Sequence, residues 1–145
     1  MDGLDILISD FNRLKENCRK LDGQRIVVGI VGGADSEVLR IARAHEYGVP
    51  GKLPERSFIR ASFDADRDKI GEIVDGQVSQ VLAGRKSADA AANAIGAQAA
   101  QMVQNYIDDN RVTPPSNFSR KRVHTTLFET GTHIRDRISW KVEGP

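Results

Sequence analysis

Three histidines, one cysteine and a run of carboxylates are the side chains whose types suit metal, nucleophilic or acid–base chemistry. His45, His124 and His133 do not share one helix face, and His45-Glu46 lacks the second histidine that would complete a zincin pair. Zinc needs three or four converging ligands, so no metal site is expected. His45 shares a face with Ile41 and Ala42 and reads as a hydrogen-bonded histidine of the core or its rim. Asp64, Asp66, Asp68, Glu72 and Asp75 interleave with Arg60, Arg67 and Lys69 at helical spacing. That is the pattern of solvent-facing i,i+4 ion pairs rather than of a general acid and base.

Other catalytic patterns fail on spacing. Gly29, Gly32 and Gly33 end a strand and precede a helix, but neither GxGxxG nor GxxxxGK[ST] is present. No serine sits in GxSxG. Cys18 excludes an intrachain disulfide because it stands alone, and its place on an apolar helical stripe reads as a small buried hydrophobe. The expectation is a protein that is not an enzyme, with no catalytic, metal or cofactor site and no small-molecule substrate.

The elements that would position these residues follow from periodicity. Leu4, Leu7, Ile8, Phe11, Leu14, Cys18 and Leu21 predict an amphipathic helix over 4–21, ended by Asp22 and Gly23. Residues 24–31 are rich in β-branched side chains and predict a strand apolar on both faces. Asp35 or Ser36 can cap a helix carrying Val38, Leu39, Ile41 and Ala42, and Gly48 can stop it. After a turn over 49–56, one long helix is expected from Ser57 to Ala83, with Phe63, Ile70, Val74, Val78 and Val81 as its buried stripe. Gly71 and Gly76 weaken that helix, or mark close contact with another. Ser87 caps a further helix running to Asp109, with Ala91, Ile95, Ala99, Met102, Val103 and Tyr106 on one face. It should pair antiparallel with its predecessor. Residues 112–126 read as a loop, mobile before assembly, and Ile138, Trp140 and Val142 as a final strand after a turn at Thr130 and Gly131.

With 145 residues, 39% hydrophobic and 28% charged, the chain is the size of one domain, 1–145, with one feasible core. Its 21 basic and 20 acidic side chains give no global argument for nucleic-acid or membrane binding. Residues 1–110 hold 14 basic and 17 acidic groups, whereas 111–145 hold 7 and 3, so the cationic end is the last quarter. No apolar run approaches the ~20 residues of a membrane helix, and no export signal is visible.

Two stretches stand out as combinations: ARAHEYGVPGKLPERSFIRASFD over 42–64 and LFETGTHIRDRISWKV over 127–142. Together they resemble the bacteriophage tail-completion or head-to-tail joining family, the virion morphogenesis or neck proteins. In that family a helix ending in Glu, an aromatic and Gly, here Glu46, Tyr47 and Gly48, precedes a proline-bearing turn and a Pro-to-Arg segment, here Pro54 to Arg60. Ser57 stands where the family carries a second proline. Leu127, Glu129, Thr130, Gly131 and the strand from Ile138 to Val142 match the later element in order.

The resemblance implies an α+β fold, with helices on one face of a small, mostly antiparallel sheet. The strands would be 24–31 and 137–143, with a third near 123–128. It implies a structural virion component, assembled in the bacterial host cytoplasm, that completes the tail or joins it to the head connector. Its partners would be other tail or connector proteins and copies of itself in a homo-oligomeric ring, with DNA only as passing cargo. Candidate assembly contacts are Pro50, Lys52, Pro54 and Arg56 in the turn and Arg120, Lys121 and Arg122 in the cationic loop. Within the turn, Pro54 fixes an extended entry, Arg56 can reach a carboxylate or carbonyl, and Phe58 with Ile59 anchors the next helix in the core. The competing reading is a small nucleic-acid-binding module of phage or prophage origin.

Overall fold

The computed structural model of the protein describes residues 2–31, 36–52, 54–109, 111–112 and 134–144. In chain order these form α1 (Gly3–Asp22), β1 (Arg25–Ile30), α2 (Ser36–Tyr47), α3 (Ile59–Ala65), α4 (Arg67–Leu82) and α5 (Ala88–Asp108). A short 3-10 turn (Ile134–Arg137) then leads into β2 (Ile138–Glu143). Among the described residues, five helices and a two-stranded antiparallel sheet make an α+β fold, mostly helical, with helices packed against the strands. The expected third strand, the 113–126 part of the expected loop, the Thr130-Gly131 turn and the cap of α2 at residue 35 lie outside the described residues.

The sheet register places Ile26 opposite Val142, Val28 opposite Trp140 and Ile30 opposite Ile138. Directly opposed residues share a face, so these three pairs form one apolar face. That face meets α5. At one edge Arg25 and Glu143 close the pair with a guanidinium–carboxylate contact.

Helix α5 is the centre of the molecule. Ser87 caps it by accepting from the Ala90 N–H at 3.1 Å, as its position before an apolar-periodic run predicts. All six residues expected on its buried face are buried, with Ala88, Ala92, Gly96, Ala100 and Ile107 as well. Small side chains at so many positions let neighbouring elements come close. The Trp140 side chain lies directly on Gly96, where any Cβ would overlap Cβ, Cγ and Cδ1 of the tryptophan. Its Nε1 donates to Asn93 Oδ1 at 3.2 Å. Toward the C-terminal end Met102, Val103, Tyr106 and Ile107 join Phe58, Val112, Ile134 and Ile138 in the main cluster. Each large side chain there contributes about 1.5–3 kcal/mol by burial.

Helix α4 packs on α5 as expected of a helical hairpin with a short connection. The single helix expected over 57–83 is instead two, broken at Asp66, whose backbone leaves the helical region at φ −109° and ψ 29°. Arg111, 45 residues later, holds the Asp66 carboxylate bidentately at 3.0 and 3.2 Å, and its guanidinium lies 4.6 Å over the Tyr106 ring. A short, weakly helix-forming residue is thus fixed to the far end of α5, and the chain bends there. Of the expected stripe only Val81 is buried, while Phe63, Ile70, Val74 and Val78 are half-buried. Gly71 and Gly76 are exposed, and a methyl group at either would meet nothing within 4 Å, so neither marks a helix contact.

Helix α1 forms one residue longer at each end than the expected 4–21, capped by Asp2, which accepts from the Asp5 N–H at 2.9 Å. No residue of α1 is buried. Cys18 is exposed rather than a core hydrophobe: within α1 only Leu14, Asn17 and Leu21 are even half-buried. A 3.6-residue period identifies an apolar face without deciding whether anything covers it.

Gly96→Ala tests the seating of the sheet on α5. Overpacking against Trp140 should cost about 1–3 kcal/mol, read as a lower midpoint in urea unfolding followed by Trp140 fluorescence.

Candidate functional site

The residues that carried the first family-like element meet at one buried carboxylate. Helix α2 ends in His45, Glu46 and Tyr47, and Gly48 stops it with φ +74°, a left-handed conformation that costs glycine nothing. The chain turns, with the Lys52 N–H donating to the Val49 carbonyl at 3.0 Å, and returns so that the Arg56 N–H donates to the His45 carbonyl at 2.7 Å.

Helix α3 then begins without a side-chain cap of its own. Glu46 takes that role from outside. Its Oε2 accepts from the Phe58 and Ile59 N–H groups at 2.9 and 3.0 Å. Its Oε1 accepts from the Ser57 hydroxyl at 2.8 Å, the Arg60 N–H at 2.9 Å and Arg60 Nε at 3.0 Å. These backbone donors are those that a helix N-terminus leaves unpaired, and an anion there also meets the positive end of the helix dipole. Ser57 completes the arrangement by accepting from the Ala61 N–H at 3.1 Å. Arg60 reaches further to the Glu46 carbonyl and to Glu55 Oε1 at 2.8 Å, and its guanidinium stacks 4.6 Å from the exposed Tyr47 ring.

Burial raises the Glu46 pKa, but the N–H donors of Arg60, Ile59 and Phe58 with the Ser57 hydroxyl outweigh it, leaving the carboxyl below its ordinary range. His45 moves down to about 4, first because burial disfavours its charged form and then because Arg56 stands beside it. The Arg56 guanidinium is 3.5 Å from His45 Nδ1, which suits a neutral imidazole accepting there. His45 is therefore the buried core histidine expected from its helix face, only 4% exposed.

This arrangement is a pin rather than a reactive centre. A carboxylate with five donors has no free lone pair aimed at a substrate, and a proton placed on it would break the contacts that hold it. Among the described residues no three His, Cys, Asp or Glu side chains converge as metal ligands, and no helix is long and apolar enough to cross a membrane.

Of the expected assembly contacts, Pro50, Lys52 and Pro54 are exposed on the turn that the pin holds. Arg56 is only 1% exposed, so in the isolated chain it is part of the interior rather than of a contact surface. Burying its guanidinium beside His45 ties the turn to α2. Arg120, Lys121 and Arg122 lie outside the described residues. Phe58 is fully buried and Ile59 half-buried, in the anchoring role expected of them. Sequence reasoning overlooked the roles of Glu46 and Arg60. The available signal was a glutamate two residues before a helix-stopping glycine, with Ser-Phe-Ile-Arg eleven to fourteen residues later.

Glu46→Ala should cost roughly 3 kcal/mol, since it strips several charge-assisted hydrogen bonds and leaves helix N–H groups orphaned; Glu46→Gln should cost less, and both are read by urea unfolding. A second expectation concerns pH. The folded chain keeps His45 neutral down to about 4, whereas the unfolded chain protonates it near its ordinary 6.5, so stability falls as pH drops from 6.5 to 4. The full loss is about 3 kcal/mol on the linkage scale. In His45→Gln the pH profile of the unfolding midpoint should flatten over that window, leaving the further loss from Glu46 at lower pH. No family model, curated protein or solved structure matches the chain, so its functional reading rests on its own residues and geometry.

Proposed function

We propose that the protein is a structural component of a tailed bacteriophage particle, one that completes the tail or joins it to the head connector through contacts between subunits. The observation that supports this reading is the coincidence of the resemblance with the geometry. Glu46-Tyr47-Gly48 and Ser57-Phe58-Ile59-Arg60, which carry the more specific family-like element, are also the residues that clamp the turn between α2 and α3. A segment spent on holding a surface turn rigid fits a protein that works by shape. Rigid presentation lowers the ordering cost of a contact, which is how a short exposed turn becomes useful in assembly.

On this reading Pro50, Lys52 and Pro54 face another tail or connector protein or the next copy in a ring, DNA passes as cargo, and no reaction is catalysed. The cationic residues Arg120, Lys121 and Arg122 would meet an acidic neighbour or the DNA passage, a contact weakened by salt.

The test is joining in vitro. Heads and tails from a phage lacking this chain should remain separate under the electron microscope, and adding the purified protein should restore joined particles. Joined, infectious particles at normal yield without it would overturn the assignment.

A further inference from the structure

Helix α1 is half outside the body. Every residue from 2 to 13 is exposed, yet the segment carries Leu4, Leu7, Ile8 and Phe11, with Leu7 66% and Phe11 64% exposed. An isolated helix of that length is marginal in water, and an apolar stripe of this size left open is the mark of a contact surface.

The spacing says what kind. Leu4, Leu7, Phe11, Leu14, Cys18 and Leu21 are separated by three, four, three, four and three residues, an a/d-spaced seam that the exposed Ile8 widens on one side. A period of 3.5 rather than 3.6 is that of one helix lying along another. The protein's own body does not use the seam in this way: it covers Leu14 and Leu21 only in part. Beside Cys18 and Leu21 it leaves an apolar groove of about 430 Å³, walled by Ile26, Val78, Leu82 and Ile95.

Charge chooses the partner and its direction. Residues 2–12 hold Asp2, Asp5 and Asp10 and no basic group, while residues 13–22 hold Arg13, Lys15, Arg19 and Lys20 against Glu16 and Asp22. Two such helices side by side in parallel would place like charge on like; antiparallel, each acidic half lies along a basic half. The seam is also matched to itself in that direction. Reversed, Leu4 stands level with Leu21, Leu7 with Cys18 and Phe11 with Leu14.

We infer that α1 pairs antiparallel with α1 of a second copy of this chain, the exposed first half of each helix covering the groove beside the other's Cys18. The contact is a two-fold one, the same surface used on both sides, and the two bodies lie at opposite ends of the helix pair. This pairing stands on α1 and its groove and does not depend on the virion reading.

Light scattering on the purified full chain at high micromolar concentration should give twice the 15.9 kDa chain mass, or an even multiple of it. Phe11→Glu should reduce that to the single-chain mass, with any loss of helical circular dichroism limited to the first half of α1, because Phe11 is exposed and lies outside the core cluster. Leu7→Cys, mildly oxidised with diamide, should form covalent dimers between position 7 and the partner's Cys18, and adding Cys18→Ser should abolish them. A single-chain mass for the natural sequence, an assembly indifferent to Phe11→Glu, or cross-links that survive Cys18→Ser would each overturn the inference. So would a single-chain protein that co-sediments with phospholipid vesicles through this stripe.

Discussion

One buried carboxylate decides how the chain passes from α2 to α3. The connection contains two prolines and two glycines and makes little regular hydrogen bonding of its own, so on backbone propensity alone it could take many paths. Glu46 removes that freedom by binding the first N–H groups of α3 from the last turn of α2. The Arg56 N–H adds a second tie to the His45 carbonyl, so the loop is closed at its base. Two helix ends that would each leave orphan groups satisfy one another. Direction follows as well. With Phe58 fully buried one residue before α3, the helix can leave the junction only along the core.

The second constraint is the slenderness of α5. Alanine and glycine on its buried faces allow the sheet on one side and α4 on the other to approach closely, and Trp140 fills the one place where even a methyl group has no room. A central helix so thin gives a compact body but a small one. What remains for α1 is a shallow contact at one end, which explains why no side chain of a 20-residue helix is buried.

Much of this was legible in the residues. Ser87 before a run of alanines, Gly48 after Tyr47, and the alternating strand at Ile138, Trp140 and Val142 each state a local rule, and the fold obeys them. The features that were not legible are those whose cause lies far along the chain. The break at Asp66 coincides with a clasp from Arg111, 45 residues on, and nothing in 57–83 signals it. Gly71 and Gly76 look like contact points in sequence but lie on the solvent side of α4. Cys18 sits on an apolar stripe as read, yet a stripe specifies a face and not its cover. The acidic run from Asp64 to Asp75 drew attention by number, whereas the carboxylate that organises the candidate site stands alone at Glu46. Number is not the guide: Asp66 of that run is held by Arg111 from 45 residues away, and at Glu46 a buried acid surrounded by donors marks structure.

The two exposed features differ in a way that separates their roles. The turn after α2 presents Pro50, Lys52 and Pro54 to solvent and is tied at its base by the Arg56 N–H on the His45 carbonyl. Such a surface selects partners by fit and costs little ordering on contact. The first half of α1 is the reverse: an exposed apolar stripe on a helix segment that the body does not bury. A surface of that kind supplies binding free energy through burial but little discrimination by shape. Placing the two on different elements lets self-association and recognition vary independently, since α1 can gain or lose a partner without disturbing the Glu46 junction. If the proposed assembly role and the α1 pairing both hold, that separation lets the chain gather copies of itself and then fit a neighbour, with one carboxylate fixing the turn while α1 stays half uncovered.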